Sequence, residues 1–145
     1  MIIVALGQFK NDNMQNKISV QSKSGAEAYA TTITDGNHII TSDEPEADGG
    51  KAKGPKPDTL LVMALAACTS ITLQMYATRK GWVTGIIDVD ITMHRHEDGT
   101  QSFERTIRFE KTQDTQVNER MLSVANKCPV HKILSQSNQI NTQII

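Results

Sequence analysis

Apolar and polar positions change their period several times along this chain. "KISVQSK" (17–23) and "AEAYATTITDG" (26–36) carry β-branched residues in partial alternation, with Gly25 between them. "NHIITSDEP" (37–45) follows through the turn "TDGN", so three strands are predicted before residue 46. "EADGGKAKGPKP" (46–57) is rich in Gly, Pro and Lys and predicts an exposed loop. From Pro57 the pattern becomes helical, with no Gly or Pro until Gly81. Pro57 and Asp58 suit a first turn, Arg79 and Lys80 a last turn, and Gly81 the C′ position. This helix is predicted to run about 22 residues, roughly 33 Å at 1.5 Å per residue. Residues 60–68 are apolar nearly all round, which predicts a central buried helix.

"IIDVDITMHRHE" (86–97) alternates as a half-buried strand, with Ile87, Val89, Ile91 and Met93 on one face. "DGT" (98–100) is a hairpin turn, and "SFERTIRFEK" (102–111) returns with Phe103, Arg105, Ile107 and Phe109 on one face. "DTQVNERMLSVANK" (114–127) spaces Val117, Met121, Val124 and Ala125 helically, with Thr115 as the expected N-cap. Pro129 opens a short helix in "CPVHKILSQS", and "QINTQII" (139–145) is predicted to close the chain as a strand. Strands, a long helix, a hairpin, two helices and a strand give an α+β fold with helices against antiparallel sheet.

Composition narrows the function classes. The chain has 145 residues, the size of one domain, so a single domain spanning 1–145 is expected. It carries 15 basic and 16 acidic residues, a net charge of -1, which argues against a general nucleic-acid or membrane-surface binder. The opening "MIIVAL" is too short for a signal core or a membrane span. A soluble, cytoplasmic protein is expected, and in a reducing compartment two cysteines read as free thiols, ligands or redox groups.

Those cysteines, Cys68 and Cys128, carry the candidate chemistry. Cys68 lies almost three turns into the long helix, beyond reach of the N-terminal dipole, so a cation from elsewhere must support its thiolate. Cys128 precedes Pro129 and falls at an N-cap, where free amides favour a thiolate. A lone cysteine in an apolar helix is ordinarily a small core residue. Metal binding by "CPVH" is a weaker reading: Cys128 and His131 supply two ligands where Zn²⁺ takes three or four, and His38, His94 and His96 form no second cluster. No cofactor is expected.

"GPKPDTLLVMALAACTSITL", "MYATRKGW" and "ANKCPVHKIL" together resemble the OsmC/Ohr family of thiol-dependent hydroperoxide reductases. The likeness runs from about His38 to the C-terminus, closest to the branch reading "DEP…GG…GP.P..LL…LA.CT…T…YA.RKGW". It implies an OsmC-like fold and an intertwined homodimer, with antiparallel sheets packed on the long central helix and the active sites at the interface. It further implies that Cys68 attacks the O–O bond of an organic hydroperoxide, favoured by a pocket of Leu, Met and Ala side chains. Cys68 then becomes a sulfenic acid that Cys128 resolves as an intrachain disulfide, and a dithiol or thiol reductant reopens the bond. The rival reading is a non-enzymatic protein of this fold that binds a small hydrophobe or senses redox state.

The chain departs from the better-known family members at two positions. Their glutamate ten residues before the reactive cysteine is Asp58 here. Their N-terminal-strand arginine has no counterpart, because no arginine precedes Arg79. His38, Lys17 and Lys23 are the upstream cations on predicted strands, and His38, leading into "SDEP", is the favoured substitute. An arginine of the later hairpin or of the partner chain is the other possibility. "SDEPEADGGKAKG" is expected to be a solvated loop, with Asp43 and Glu44 orienting a nearby cation as the functional alternative.

Overall fold

The computed structural model describes residues 17–145, so the "MIIVAL" run lies outside the described residues. The chain divides into two compact units, one ending at Lys56 and the other running Pro57–Ile145.

In the first unit, β1 (Gln21–Lys23), β2 (Thr31–Thr34) and β3 (Ile39–Ser42) form an antiparallel sheet in the order β1-β2-β3. The strands are shorter than the predicted runs. Alternation in 17–36 is only partial, and Ala28 adopts a positive φ of 37°, interrupting extended backbone ahead of β2. The segment after β3 departs from the expected solvated loop. It is organised around Asp43, which is 2% exposed and accepts backbone N–H groups from Glu44 (2.8 Å), Lys51 (3.1 Å) and Lys53 (3.1 Å). Burial raises the Asp43 carboxyl, but the three amides outweigh it and hold the group below its ordinary value. A 3-10 turn, Glu46–Asp48, ends at Gly49 in the left-handed region. A Cβ on Gly50 would sit 1.9 Å from the Glu44 carbonyl oxygen, and one on Gly54 2.0 Å from that of Thr41. The glycines of "GG" and "GP" are therefore required by backbone contact.

The second unit opens with α1 (Pro57–Lys80), 24 residues long, ended by Gly81 at φ 68°. Next come β4 (Ile87–Arg95) and β5 (Gln101–Phe109), an antiparallel pair whose register sets Ile87 opposite Phe109, Val89 opposite Ile107 and Ile91 opposite Arg105. The helices α2 (Thr115–Ala125) and α3 (Pro129–Leu134) follow. Asp114 caps α2, its carboxylate accepting the Val117 N–H at 2.8 Å, rather than the expected Thr115. The aspartate precedes the first helical residue and its side chain reaches back to the third amide. "QINTQII" forms no strand: Ile140 and Ile144 are exposed, and no described strand pairs with the segment to satisfy its backbone groups.

A core of Leu73, Ala77, Met121 and Ala125 joins α1 to α2, with Ile87, Ile107 and Phe109 of the hairpin packed against it. Tyr76 meets Trp82 edge-on at 5.7 Å and accepts a hydrogen bond from Arg120 Nε at 2.7 Å. Helix α1 is less enclosed than its composition predicts. Leu65, Thr69, Leu73 and Ala77, spaced four apart, are buried, whereas Leu61, Met63, Ile71 and Met75 are 42–60% exposed. One small hairpin and two helices cover one face of a cylinder, and the apolar residues on the other face stay uncovered. By length and composition alone α1 is also apolar enough to cross a membrane.

Candidate active site

The docking of α3 sets Cys128 against α1 at Thr69, the residue that follows Cys68. Cys128 is the N-cap of α3, as its place before Pro129 predicts; its Sγ accepts the His131 N–H at 3.4 Å. It is fully buried, and its Sγ lies 3.9 Å from Oγ1 of Thr69, the residue following Cys68. Cys68 is only partly buried, and both thiols are free. Among the described residues, the Cys68 sulfur has no hydrogen-bond partner.

Thr69 links this pair to a cation. Its hydroxyl donates to the Leu65 carbonyl at 2.8 Å, one helical turn back, and accepts from Arg105 Nη1 at 2.9 Å. Arg105 Nη2 donates to Asn126 Oδ1 at 2.8 Å, two residues before Cys128. Arg105 thus stands on the inward face of β5 between Phe103 and Ile107, tied to α1 at Thr69 and to the C-cap of α2 at Asn126. Sequence reasoning left Thr69 out of the site and offered a later-hairpin arginine without singling out Arg105. The available signal was a charge at an inward, otherwise apolar position of an alternating strand, which is costly unless it is bonded. A cleft of about 410 Å³ opens beside this network, lined by Leu65, Phe103, Arg105, Asn126, His131 and Leu134 among others.

The other predicted residues have partners of their own. Asp58 lies in the first turn of α1, where it accepts from Arg95 and from the Thr59 N–H. Ten helical residues span about 15 Å, so Asp58 does not reach Cys68 of its own helix. His38 belongs to the first unit: its side chain is 82% exposed and its Nδ1 lies 3.0 Å from Asp35 Oδ2. The His38 side chain, with the His38 and Asn37 amides, holds the Asp35 carboxyl well below its usual range. Glu44 pairs with Lys56 at 3.5 Å. His94 faces Glu104 at 3.4 Å, and His96 meets Ser102 Oγ at 2.9 Å. Among the described residues no group of three or more His, Cys, Asp or Glu could hold a metal ion.

Comparison with solved structures gives the same fold. An OsmC-like protein of Mycoplasma pneumoniae is 24% identical, with a TM-score of 0.67 over 84% of this chain and 89% of that one. The organic hydroperoxide resistance protein OhrB of Bacillus subtilis is 22% identical, with a TM-score of 0.54 over 79% and 87%. An organic hydroperoxide resistance protein OsmC of Legionella pneumophila is 13% identical, with a TM-score of 0.60 over 84% and 91%. No curated protein sequence matches significantly. The family model for OsmC-like proteins matches residues 50–143, well over half of the chain and including both cysteines. This chain is therefore a member of the OsmC-like protein family.

Proposed function

We propose that this protein is a thiol-dependent peroxidase that reduces organic hydroperoxides. The observation that carries the reading is the buried Cys128 sulfur, 3.9 Å from the residue next to Cys68, in a chain of the OsmC-like family. Two relatives of the same fold are named for organic hydroperoxide resistance, which supports a role in peroxide resistance. The Cys68 thiolate attacks the terminal peroxide oxygen, the O–O bond breaks, and the alkoxide takes a proton to leave as alcohol. Sulfur gains the oxygen as a sulfenic acid. The Cys128 thiolate then displaces hydroxide, which leaves as water, and the resulting disulfide is reopened by a dithiol or thiol. The two free thiols suit a reducing cytoplasm.

The same reading includes a homodimer. Leu61, Cys68 and Met75 recur every seven residues along α1, with Ile71 between them, and the exposed apolar side chains of this helix suit a second α1 better than water. Sedimentation is expected to give a soluble dimer at micromolar concentration; a soluble monomer, or recovery with membranes, contradicts it.

Cys68→Ser is expected to abolish hydroperoxide reduction with dithiothreitol as the reductant. Cys128→Ser should consume about one equivalent of cumene hydroperoxide per subunit and stall as the sulfenate. Swapped behaviour reverses the two roles. No turnover in the wild type favours the binding-protein reading, for which the cleft beside Arg105 is the supporting observation.

A further inference from the structure

We propose that Arg105 and Thr69 are positioning residues that hold Cys128 as the attacking and leaving thiolate, so that the Cys68–Cys128 disulfide is opened by an incoming thiolate at Cys68. The inference rests on the dithiol redox reading above and assigns each sulfur its place in the exchange.

A hydroxyl oxygen has one hydrogen and two lone pairs. Thr69 Oγ1 accepts one N–H from Arg105, leaving a lone pair toward Cys128 Sγ, and directs its hydrogen to the Leu65 carbonyl. While Cys128 is a thiol, its S–H can point at Thr69 Oγ1. Once it is a thiolate, the Thr69 hydrogen turns from the Leu65 carbonyl to the sulfur. The Arg105 charge polarises the hydroxyl toward donating. The His131 N–H already points at the same sulfur. An ionised Cys128 therefore meets two donors in a site of zero solvent exposure, where charge-assisted hydrogen bonds are strong. The Cys68 sulfur meets none among the described residues and is only partly buried.

Exchange at a disulfide depends on access to the attacked sulfur and on how well the other sulfur leaves as a thiolate. Both conditions select one direction. The incoming thiolate bonds to Cys68, the Cys68–Cys128 bond breaks, and its electron pair departs on Cys128. The second thiol of the reductant, as thiolate, then attacks the reductant's first sulfur and releases Cys68 as a thiolate. The dithiol is oxidised to its disulfide by two electrons and the protein is reduced by two. In the oxidative half of the cycle the same Cys128 thiolate displaces hydroxide from the Cys68 sulfenate.

The test begins with full-length protein whose disulfide is formed by diamide, so that no peroxidase activity is needed. Oxidised wild type is treated briefly with glutathione, acid-quenched and mapped by peptide mass spectrometry; glutathione is expected on Cys68. In the Cys68→Ser background, the ultraviolet absorbance of the Cys128 thiolate is titrated with pH. Arg105→Gln and Thr69→Val are expected to raise its midpoint and to slow reduction of the diamide-formed disulfide by dithiothreitol roughly tenfold, with partial recovery in Arg105→Lys. Glutathione on Cys128, an unchanged midpoint, or failure of diamide to join the two cysteines overturns the inference. The glutathione map uses unmutated protein, so it decides the direction of attack even where a variant misfolds. Normal exchange without hydroperoxide turnover sinks the peroxidase reading alone.

Discussion

The Thr69–Arg105 hydrogen bond should appear as a measurable coupling energy in stability. Thr69→Val preserves shape and removes the hydroxyl; Arg105→Met preserves an unbranched stem and removes the guanidinium. Thr69 is fully buried, and the bond it accepts comes from a charged donor at 2.9 Å. Hydrogen bonds to charged groups contribute about 1.5–3 kcal/mol net, so Thr69→Val should cost that amount, including the donor left unpaired on Arg105. Arg105→Met loses the bonds to Thr69 and Asn126 but places an apolar side chain opposite Ile91, so its cost should be lower, about 1–2 kcal/mol. In the double variant neither partner is stranded. It should be about 1–2 kcal/mol more stable than the sum of the single losses predicts. The assay is urea unfolding followed by far-ultraviolet circular dichroism, at one fixed protein concentration because association shifts apparent stability. A coupling below about 0.5 kcal/mol, the range of independent sites, would refute the claim that this bond organises the thiol site.

Other expectations can be checked on the same footing. Asp43 is ionised more easily folded than unfolded, so its contribution is present above the ordinary carboxylate value of 3.8 and is lost as pH falls below it. Asp43→Asn should therefore weaken the fold at neutral pH and flatten the acid limb of a stability–pH curve; an unchanged limb contradicts the assignment. Gly54→Ala places a Cβ against the Thr41 carbonyl and should cost about 2 kcal/mol or more by thermal unfolding, whereas Ala in place of exposed Ser137 should be near neutral. Leu73→Ala empties a fully buried position beside Met121 and should cost about 2–5 kcal/mol, read from the urea midpoint.

Much of this protein was legible in its sequence because the deciding interactions are local. The run from Pro57 to Gly81 specifies both its helix and the left-handed residue that ends it. Strict alternation around "DGT" sets β4 and β5 in register, and Cys-Pro marks the cap of α3. Local signals were weaker where two neighbours compete, as at Asp114 and Thr115, and where a strand needs a partner, as in "QINTQII".

Tertiary structure decided the rest. "SDEPEADGG" reads as solvent-loving by composition, yet Asp43 is buried, because three amides brought round by the loop satisfy its carboxylate. Burial of such a group depends on its partners, and composition does not contain them. Which hairpin arginine stands beside Thr69 was likewise hidden: 36 positions separate Arg105 from Thr69. Periodicity reports which face a residue occupies; only the packing of β5, α1 and α3 reports what waits on that face. The sequence thus determined the two cysteines and their helices, while the folded chain determined that Arg105 and Thr69 stand with Cys128, since hydrogen bonds between distant elements exist only once those elements pack.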